Sequence, residues 1–358
     1  MTDLKIPVRN LWLLMLYGSD LAFLDHKAFV AAEKNPEKLP DLITELLCEA
    51  VEGRLRNGLT LGFRGISEPL PRVRGRIDFL NTYSRRLLDH GRVHCEFERI
   101  SPDTEANRFV LSALKKCLPM LHEVSTAIRC RKCIHWMSSL GVAHVSPRGS
   151  RLRAGSFDRS TASDRLMLSI AALALEMNIP SEGHGEALAF VPKRDERWLR
   201  TLFEKAVAGY YRIHTLGSAW KVSPGKWLNW QIDEHTDRIP ELLPKMKTDI
   251  YLENPVERSL IIIDTKFNQI IVDGRYRDKS FRSGYVYQMY AYTKSQPKAD
   301  DAASVEGVLL HPSFGQIIDE SVVIQGDRFR FMTLDLLAEH GVWARQLSSL
   351  IGVTPRPI

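Results

Sequence analysis

Apolar residues recur at helical spacing in several long stretches of the chain. Between Leu39 and Leu55 they stand three or four positions apart among charged residues, which predicts an amphipathic helix. The run from Thr161 to Asn178 is apolar at most positions and predicts a buried helix. The segment Asp195–Tyr211 shows the amphipathic pattern again. These segments indicate a chain with a large helical part.

Two further helices are expected from their starting signals. The helix predicted from Ala106 to Leu118 has Asp103 or Thr104 as its N-cap, because either side chain can accept a hydrogen bond from a free backbone amide. The first apolar run of the chain also predicts helical turns, with Asn10 or Ser19 as the capping residue.

The pattern changes to a period of two in the segment Val73–Phe79. Apolar or small residues alternate there with Arg74, Arg76 and Asp78, which predicts a strand with two arginines on one face. Together with Arg72 these arginines have three open interpretations. The first is contact with DNA phosphates, the second is contact with an acidic surface of a partner, and the third is an ordinary solvated strand edge.

A strand, a polar loop and a second strand are predicted between Met246 and Phe267. The loop of seven residues starts at Glu253 and contains an Asn-Pro pair, which is typical of a hairpin connection. The second strand is almost wholly apolar until Asp264, which indicates burial on both faces. A loop, a helix and two more strands are expected after it.

The length of 358 residues suits two domains, and breaker residues at Ile179–Gly183 place the boundary. We therefore predict domains 1–182 and 183–358 in an α/β (α+β) protein. The N-terminal domain is expected to be mixed, with helices around a projecting, strand-rich region between Leu59 and Arg153. The C-terminal domain is expected to have a central mixed sheet flanked by helices.

The charge and hydropathy of the chain restrict its expected partners and cellular location. A net charge of +6 and a sequence pI near 9.0 are compatible with a polyanionic partner. No apolar run approaches the roughly 20 residues that span a bilayer, and the N-terminus lacks the pattern of a signal peptide. A cytoplasmic protein without a membrane partner is expected.

The five cysteines do not indicate a disulfide framework, since an odd number cannot all be paired within the chain. Cys130 and Cys133 have the spacing of half a zinc site, but no second pair of Cys or His follows. Two incidental thiols are the favoured interpretation, and any further role of the pair stays open.

The end of the second predicted strand carries the chemistry. Asp264 and Lys266 stand two positions apart, so they share one face of a strand, and Asp249 on the neighbouring strand can reach that face. Such charges are costly at the end of a buried strand unless they are paired or bind metal. Two carboxylates beside an ammonium suit Mg²⁺, which would polarise a phosphate and activate water. The alternative is a strand-end salt bridge beside a solvated Asp249.

The lysine has a defined chemistry in this hypothesis, because an ammonium can orient or help deprotonate water, or neutralise charge that develops on phosphorus. Gln288 and Tyr292 lie one turn apart on the next predicted helix, hence on one face, where they could meet DNA or the metal site. Their alternative is an ordinary amphipathic helix face.

This order of residues resembles the PD-(D/E)xK nuclease superfamily, which has an acid on one strand, (D/E)xK on the next and often QxxxY on the following helix. The match runs from about Glu204 to Tyr292, with Thr248 where the motif has proline, a position commonly lost. The resemblance assigns to the catalytic site Asp249, Asp264, Lys266, Gln288 and Tyr292. It also implies that Glu204, on the preceding helix, joins Asp249 and Asp264 as a metal ligand, unless Glu204 faces solvent.

Four segments in chain order also resemble the McrC family, the nuclease subunits of McrBC modification-dependent restriction systems. They are Ile6–Leu11, Val73–Phe79, Asp103–Arg108 and Leu243–Ile250. The resemblance implies a Mg²⁺-dependent endonuclease that cleaves double-stranded DNA in a GTP-dependent, modified-cytosine-specific complex. It implies as partner a hexameric AAA+ GTPase ring of the McrB type, which the N-terminal domain enters and stimulates. GTP is expected on that partner, since this sequence has no GxxxxGK[ST] loop.

Three functional hypotheses remain. The chain is a nuclease subunit active only with its motor partner, a catalytically silent activator or adaptor of an AAA+ GTPase, or a DNA-binding protein without catalysis. The intact trio of two acids and a lysine favours the first, and no helix-turn-helix, zinc-finger or basic-zipper pattern supports the third. Dimerisation of complexes would supply the two active sites that a double-strand break needs, although no sequence feature indicates it.

Overall fold

The structure is a computed structural model that describes residues 5–24, 26–34, 38–143, 165–177, 188–190, 196–273, 278–296, 304–313 and 316–352. The helices of these residues are α1 (Val8–Tyr17), α2 (Leu21–Leu24), α3 (His26–Lys34), α4 (Leu39–Asn57), α5 (Phe79–Ser84), α6 (Glu105–Cys117), α7 (Val124–Ser139), α8 (Arg165–Met177), α9 (Glu196–His214), α10 (Ile239–Leu242), α11 (Ser283–Lys294) and α12 (His340–Ile351). The strands are β1 (Lys5–Pro7), β2 (Gly62–Leu70), β3 (Arg76–Ile77), β4 (Val93–Ser101), β5 (Leu188–Phe190), β6 (Lys221–Pro224), β7 (Trp227–Leu228), β8 (Met246–Lys247), β9 (Ile250–Asn254), β10 (Ser259–Thr265), β11 (Ile271–Asp273), β12 (Lys279–Phe281), β13 (Ser304–Pro312), β14 (Asp319–Ile324) and β15 (Asp327–Leu334).

The chain divides into two compact units. The sheet unit combines Met1–Pro36 with Pro180–Ile358, and the inserted unit is Glu37–Ile179. The N-terminal segment belongs to the sheet unit because β1 pairs with β5 and α1 packs against α9. The chain therefore passes between the units twice, once before α4 and once near the boundary expected from sequence. The assignment of domains 1–182 and 183–358 to partner binding and cleavage stays a prediction.

A six-stranded mixed sheet organises the sheet unit. Its order is β14-β15-β13-β10-β9-β6, in which β10, β13 and β15 run parallel and the remaining pairs are antiparallel. The helices α9, α11 and α12 pack against it. The predicted α/β class and the mixed sheet flanked by helices are confirmed. Three strands follow α11, one more than expected.

The hairpin predicted before the acid–lysine pair is confirmed. β9 and β10 pair antiparallel with Ile250 opposite Ile263, and the strand from Ile261 to Thr265 is buried. The connection is tighter than expected, since β9 extends to Asn254. The Asn254 side chain accepts hydrogen bonds from the two amides of Val256 and Glu257, which closes the turn.

The core of the sheet unit lies partly between the sheet and α11. Ile262, Met289 and Phe329 are among its fully buried members, and each such side chain contributes about 1.5–3 kcal/mol. Gly307 of β13 permits this packing, because a Cβ there would come within 2.7 Å of Met289. The close approach sets the distance between α11 and the strand next to β10.

Asn10 is not a helix cap, contrary to the expectation from sequence. It lies inside α1, and its Nδ2 donates to the carbonyls of Leu336 and Ala338 at 2.7 and 2.8 Å. Its polar side chain thus ties α1 to the segment before α12, a long-range contact that local sequence signals do not reveal. Ser19 does accept a hydrogen bond from the amide of Leu21 at the start of α2.

The inserted unit contains a small sheet and a group of helices. The sheet order is β2-β4-β3, and α8 packs on α4 and α6 as the buried helix predicted from its apolar run. Thr104 is the N-cap of α6, because its hydroxyl accepts from the amide of Asn107 at 3.2 Å. Asp103, the other candidate cap, makes ion pairs instead.

The strand predicted from Val73 to Phe79 is wrong for most of its length. Within it only Arg76–Ile77 pairs, and Phe79 begins α5. Gly75 has φ +70°, and a Cβ there would lie 2.3 Å from the carbonyl oxygen of Glu96, so the chain turns where alternation predicted a straight strand. Both arginines are engaged locally rather than forming a free basic row. Arg76 pairs with Glu96 at 2.6 Å, and the Arg74 guanidinium lies 4.3 Å from the Phe97 ring centroid.

All five cysteines lie in the described part of the chain as buried free thiols. Cys130 and Cys133 are inside α7, and the Cys130 thiol donates to the carbonyl of Leu114 at 3.4 Å. Across the described ranges no three His, Cys, Asp or Glu side chains form a metal-binding group, so a zinc site at this pair has no support. No helix among the described residues has the length and apolar character needed to cross a membrane.

Candidate active site

The hairpin brings the two predicted acids together. Asp249 directly precedes β9, and Asp264 is the penultimate residue of β10. Because Ile250 pairs with Ile263, continuing the antiparallel register by one residue places Asp249 beside Asp264. Asp264 shares its side of the strand with Ile262, which packs in the core that contains α11. The acids therefore meet at the end of β10 on the α11 side.

Asp249 is held in one orientation by the residue between the acid and the lysine. Its Oδ2 accepts hydrogen bonds from the amide and the hydroxyl of Thr265 at 2.7 and 2.8 Å. Its carbonyl accepts from the amide of Gly225 at 2.7 Å. Thr265 was not singled out from sequence, because its contact depends on the register of β9 and β10.

Lys266 forms an ion pair with Asp264. The distance between Nζ and Oδ2 is 2.6 Å, and the two side chains are 20% and 2% exposed. The amide of Lys266 donates to the carbonyl of Leu310 at 3.0 Å, which continues the pairing of β10 with β13 beyond the strand end. Asp264 and Lys266 therefore lie on the same face, as predicted.

The charges in this cluster do not balance. Burial raises the pKa of Asp264 to about 6, the negative charge of Asp249 adds to the rise, and Lys266 opposes it. For Lys266, burial lowers the pKa, but the charges of Asp264 and Asp249 outweigh this and the pKa is raised. The lysine is therefore held as an ammonium, while the acid next to it is disfavoured as a carboxylate.

Glu204 of α9 belongs to the electrostatic surroundings of the acids. Burial raises its pKa, and the charge of Asp249 and then that of Asp264 raise it further, while Lys247 opposes them. It is half-buried and does not simply face solvent. Over the described residues, however, no three carboxylates are arranged as a metal-binding group. Glu204 as a third ligand stays a prediction.

Gln288 and Tyr292 form a wall of the site. The Gln288 amide donates to the Tyr292 hydroxyl at 2.7 Å, and that hydroxyl donates to the carbonyl of Lys247 at 2.8 Å. Lys247 ends β8, two residues before Asp249. The pair therefore holds the segment that leads into the first acid, and burial raises the pKa of Tyr292.

One neighbour of the lysine was missed from sequence. The Lys266 ammonium lies 5.2 Å from the ring centroid of Tyr285 in α11. Tyr285 precedes Gln288 by three residues and Tyr292 by seven, so the three share one helical face. Extending the helical stripe by one turn toward the N-terminus would have found it.

The donor atoms fit a hard divalent cation. Asp249 and Asp264 offer carboxylate oxygens at the same end of β10, the charge of Asp249 raises the pKa of both Asp264 and Glu204, and Lys266 pairs with Asp264. A cation would relieve that excess of negative charge. Magnesium commonly takes one or two carboxylates and completes its shell with water and phosphate, so two acids suffice.

Comparison with solved structures finds two complexes from Thermococcus gammatolerans. A half-complex of McrB AAA+ hexamers with bound McrC matches at a TM-score of 0.40 and 12% identity, covering 88% of this chain and 68% of that chain. The McrBC complex matches at a TM-score of 0.35 and 14% identity, covering 59% of each chain.

Comparison at the sequence level is more informative. The chain is 26% identical over 336 residues to the type IV methyl-directed restriction enzyme EcoKMcrBC of Escherichia coli K12, covering 92% of this chain and 93% of that protein. A statistical model of the family described as McrBC 5-methylcytosine restriction system component matches residues 4–312. The family resemblance seen in the sequence is thereby confirmed, and the chain belongs to the McrBC 5-methylcytosine restriction system component family.

Proposed function

We propose that this chain is the nuclease subunit of a restriction complex, a metal-dependent endonuclease that cleaves DNA phosphodiesters. The observation that carries the proposal is the convergence of Asp249, Asp264 and Lys266 where β9 and β10 meet. The family match supports a restriction function, and the acid–acid–lysine cluster supports hydrolysis within it.

The residues have separate tasks in this proposal. Asp249 and Asp264 would hold Mg²⁺, which when bound supplies polarisation of the scissile phosphate and a lower pKa for bound water. Thr265 keeps Asp249 in the binding orientation through two hydrogen bonds. Lys266 presents an ammonium that orients the attacking water or neutralises charge on phosphorus. Gln288 and Tyr292 hold the backbone before Asp249 in place.

The relatives support a proposal for the substrate and the partner. The E. coli relative is named a methyl-directed restriction enzyme, and one Thermococcus structure is described as McrB AAA+ hexamers with bound McrC. We propose double-stranded DNA with modified cytosine as the substrate, and a hexameric AAA+ GTPase ring of the McrB type as the partner and the site of GTP. Dimerisation of such complexes would provide two active sites for a double-strand break.

The inserted unit offers a surface for that partner. Large apolar side chains there are strongly exposed, with Phe63 at 75%, Leu80 at 81% and Tyr83 at 66%. Large exposed apolar patches commonly mark sites of contact with other proteins. This surface also favours the second candidate function, a catalytically silent activator of the GTPase, because docking and stimulation would need no nuclease site.

Reconstitution with the partner, Mg²⁺, GTP and a plasmid that contains methylated cytosine tests the proposal. Asp264→Asn removes a charge that the metal requires, so cleavage is expected to fall about a thousandfold while stimulation of the partner's GTPase stays at the wild-type level. Asp233→Asn, which alters an exposed carboxylate in the segment after β7, is the matched control and should cleave normally.

The two candidate functions predict different wild-type behaviour. Stimulation of the GTPase without cleavage under any of these conditions would establish the silent activator and refute the nuclease. Cleavage that survives Asp264→Asn unchanged would refute the assigned site.

A further inference from the structure

Lys266 has a second contact that the proposed reaction does not assign. Besides its ion pair with Asp264, its ammonium lies 5.2 Å from the centroid of the Tyr285 ring, within the range of a cation–π interaction. A lysine carries its charge on a flexible four-carbon stem, so a single ion pair leaves it several conformations. A ring on another side of the ammonium removes many of them.

Tyr285 is itself held by the protein. The side-chain amide of Asn268 donates to the Tyr285 hydroxyl at 2.8 Å. The backbone carbonyl of Asn268 lies in turn 2.9 Å from Nδ1 of His311, a buried residue of β13. Because burial lowers the pKa of His311 to about 4, this imidazole is neutral near pH 7, and Nδ1 carries the proton that it donates to the Asn268 carbonyl.

The hydrogen-bonded chain joins three elements around the lysine. It starts on β13, passes through the segment that follows β10, and ends on α11. These elements are anchored by strand pairing and by the core, so the ring has a fixed support. The guanidinium of Arg282 lies 6.0 Å from the same ring centroid, which leaves the Lys266 ammonium as the nearer cation.

We propose that Tyr285 is a positioning residue that keeps the Lys266 ammonium beside Asp264, and that Asn268 and His311 support its ring. The inference rests on the proposed nuclease function only for the consequence in catalysis. The placement of the ammonium against the ring is a property of the free chain and can be measured without DNA, metal or partner.

Two full-length variants separate the contribution of the ring from that of its hydroxyl, and a third is the control. Tyr285→Leu removes the ring and the hydrogen bond, Tyr285→Phe keeps the ring, and Tyr287→Leu alters a neighbouring tyrosine that is 71% exposed. Circular dichroism and thermal melting establish that each variant is folded.

The first readout is nuclear magnetic resonance of chain with ¹³C-labelled lysine, with the Lys266 signal identified by its loss in Lys266→Met. The ε-methylene protons should be shifted upfield by the ring current in the wild type and in Tyr285→Phe. In Tyr285→Leu the upfield shift should vanish and the ¹³Cε order parameter should fall. Tyr287→Leu should match the wild type. An unshifted wild-type signal, or an order parameter that Tyr285→Leu leaves unchanged, would overturn the proposal.

The second readout is cleavage by the reconstituted complex. Tyr285→Leu should lower the maximal cleavage rate roughly tenfold, the size expected for one cation–π contact, at unchanged DNA affinity. Tyr285→Phe should restore most of the rate. If the magnetic resonance results are as expected and the wild type does not cleave, the proposed function fails while the positioning of Lys266 stands. If the wild type cleaves and Tyr285→Leu cleaves equally fast, the positioning role is wrong and the nuclease stands.

Discussion

Asp103 in the inserted unit and Asp264 in the sheet unit are both buried carboxylates in contact with a cation, yet their pKa values move in opposite directions. The two side chains are 1% and 2% exposed. The pKa of Asp103 is lowered, chiefly by hydrogen bonds from Arg108, whereas burial raises the pKa of Asp264 to about 6.

The surroundings of Asp103 are complete. Arg108 donates to both of its oxygens, each at 2.6 Å, and Arg64 and the amide of Ala143 donate at 3.0 and 2.8 Å. Two guanidinium groups face one carboxylate, so positive charge is in excess and the ionised form is favoured. This cluster closes the turn before α6 and needs no further ligand.

Around Asp264, by contrast, negative charge is in excess. Its ion-pair partner is Lys266, and it lies beside a second acid, Asp249, whose charge raises its pKa. Burial alone therefore does not mark a binding site. The balance of charge around a buried carboxylate separates a structural ion pair from a place where a cation is to be bound.

The largest expected effect that tests this contrast is on Asp103. Asp103→Asn leaves two arginines without their anion, and because both are partly exposed the loss of folding free energy should be about 3 kcal/mol, the low end for a broken buried pair. Urea denaturation at pH 7 measures it, with Asp89→Asn as the exposed control. Equal midpoints for the two variants would mean that the Asp103 cluster adds nothing to folding.

A smaller effect is expected from magnesium. A ligand that binds only the folded state at ten times its Kd stabilises it by about 1.4 kcal/mol. Mg²⁺ should therefore raise the urea midpoint of the wild type and of Asp103→Asn by similar free energies. It should leave Asp264→Asn unchanged, since one of the two proposed metal-binding carboxylates is gone. An equal gain in Asp264→Asn would place the ion elsewhere.

The sequence allowed the hairpin and the Asp264–Lys266 face to be predicted, because an apolar strand that ends in paired charges is a local signal. Alternation of residue types sets which side chains share a face, and the acid on the preceding strand follows from antiparallel pairing. The residues of the site could therefore be proposed before any coordinates, with Asp249, Asp264 and Lys266 brought together as expected.

Other features depend on contacts between distant segments and could not be predicted. Asp103 and Asp264 are the same residue type, and part of what distinguishes them comes from distant segments. Arg64, 39 positions earlier, joins Arg108 at Asp103, whereas Asp249 of the neighbouring strand faces Asp264. The strand expected over Val73–Phe79 failed because Gly75 turns against the Glu96 carbonyl, which alternation does not reveal. The attachment of the first segment to the sheet unit has the same origin, since β1 pairs with β5 far along the chain.

The smallest expected effect concerns Asp264 in metal-free buffer, where the contrast predicts a gain in stability instead of a loss. Because the folded pKa of Asp264 is raised to about 6, its charge costs stability above that pH, and the cost disappears as the pH falls toward the unfolded value. A rise of the pKa to about 6 corresponds to roughly 3 kcal/mol, and loss of the ion pair with Lys266 offsets part of it. Asp264→Asn should therefore be more stable than the wild type by about 1 kcal/mol at pH 7 with EDTA present. The difference in stability between the two proteins should shrink between pH 6 and about pH 4. Because the pKa of Asp103 is lowered, the stabilisation by the Asp103 carboxylate should be lost only at more acidic pH. Urea midpoints at pH 7, 5 and 4 provide the measurement. A variant that is less stable than the wild type at pH 7 without metal would show that Asp264, like Asp103, is a satisfied structural carboxylate.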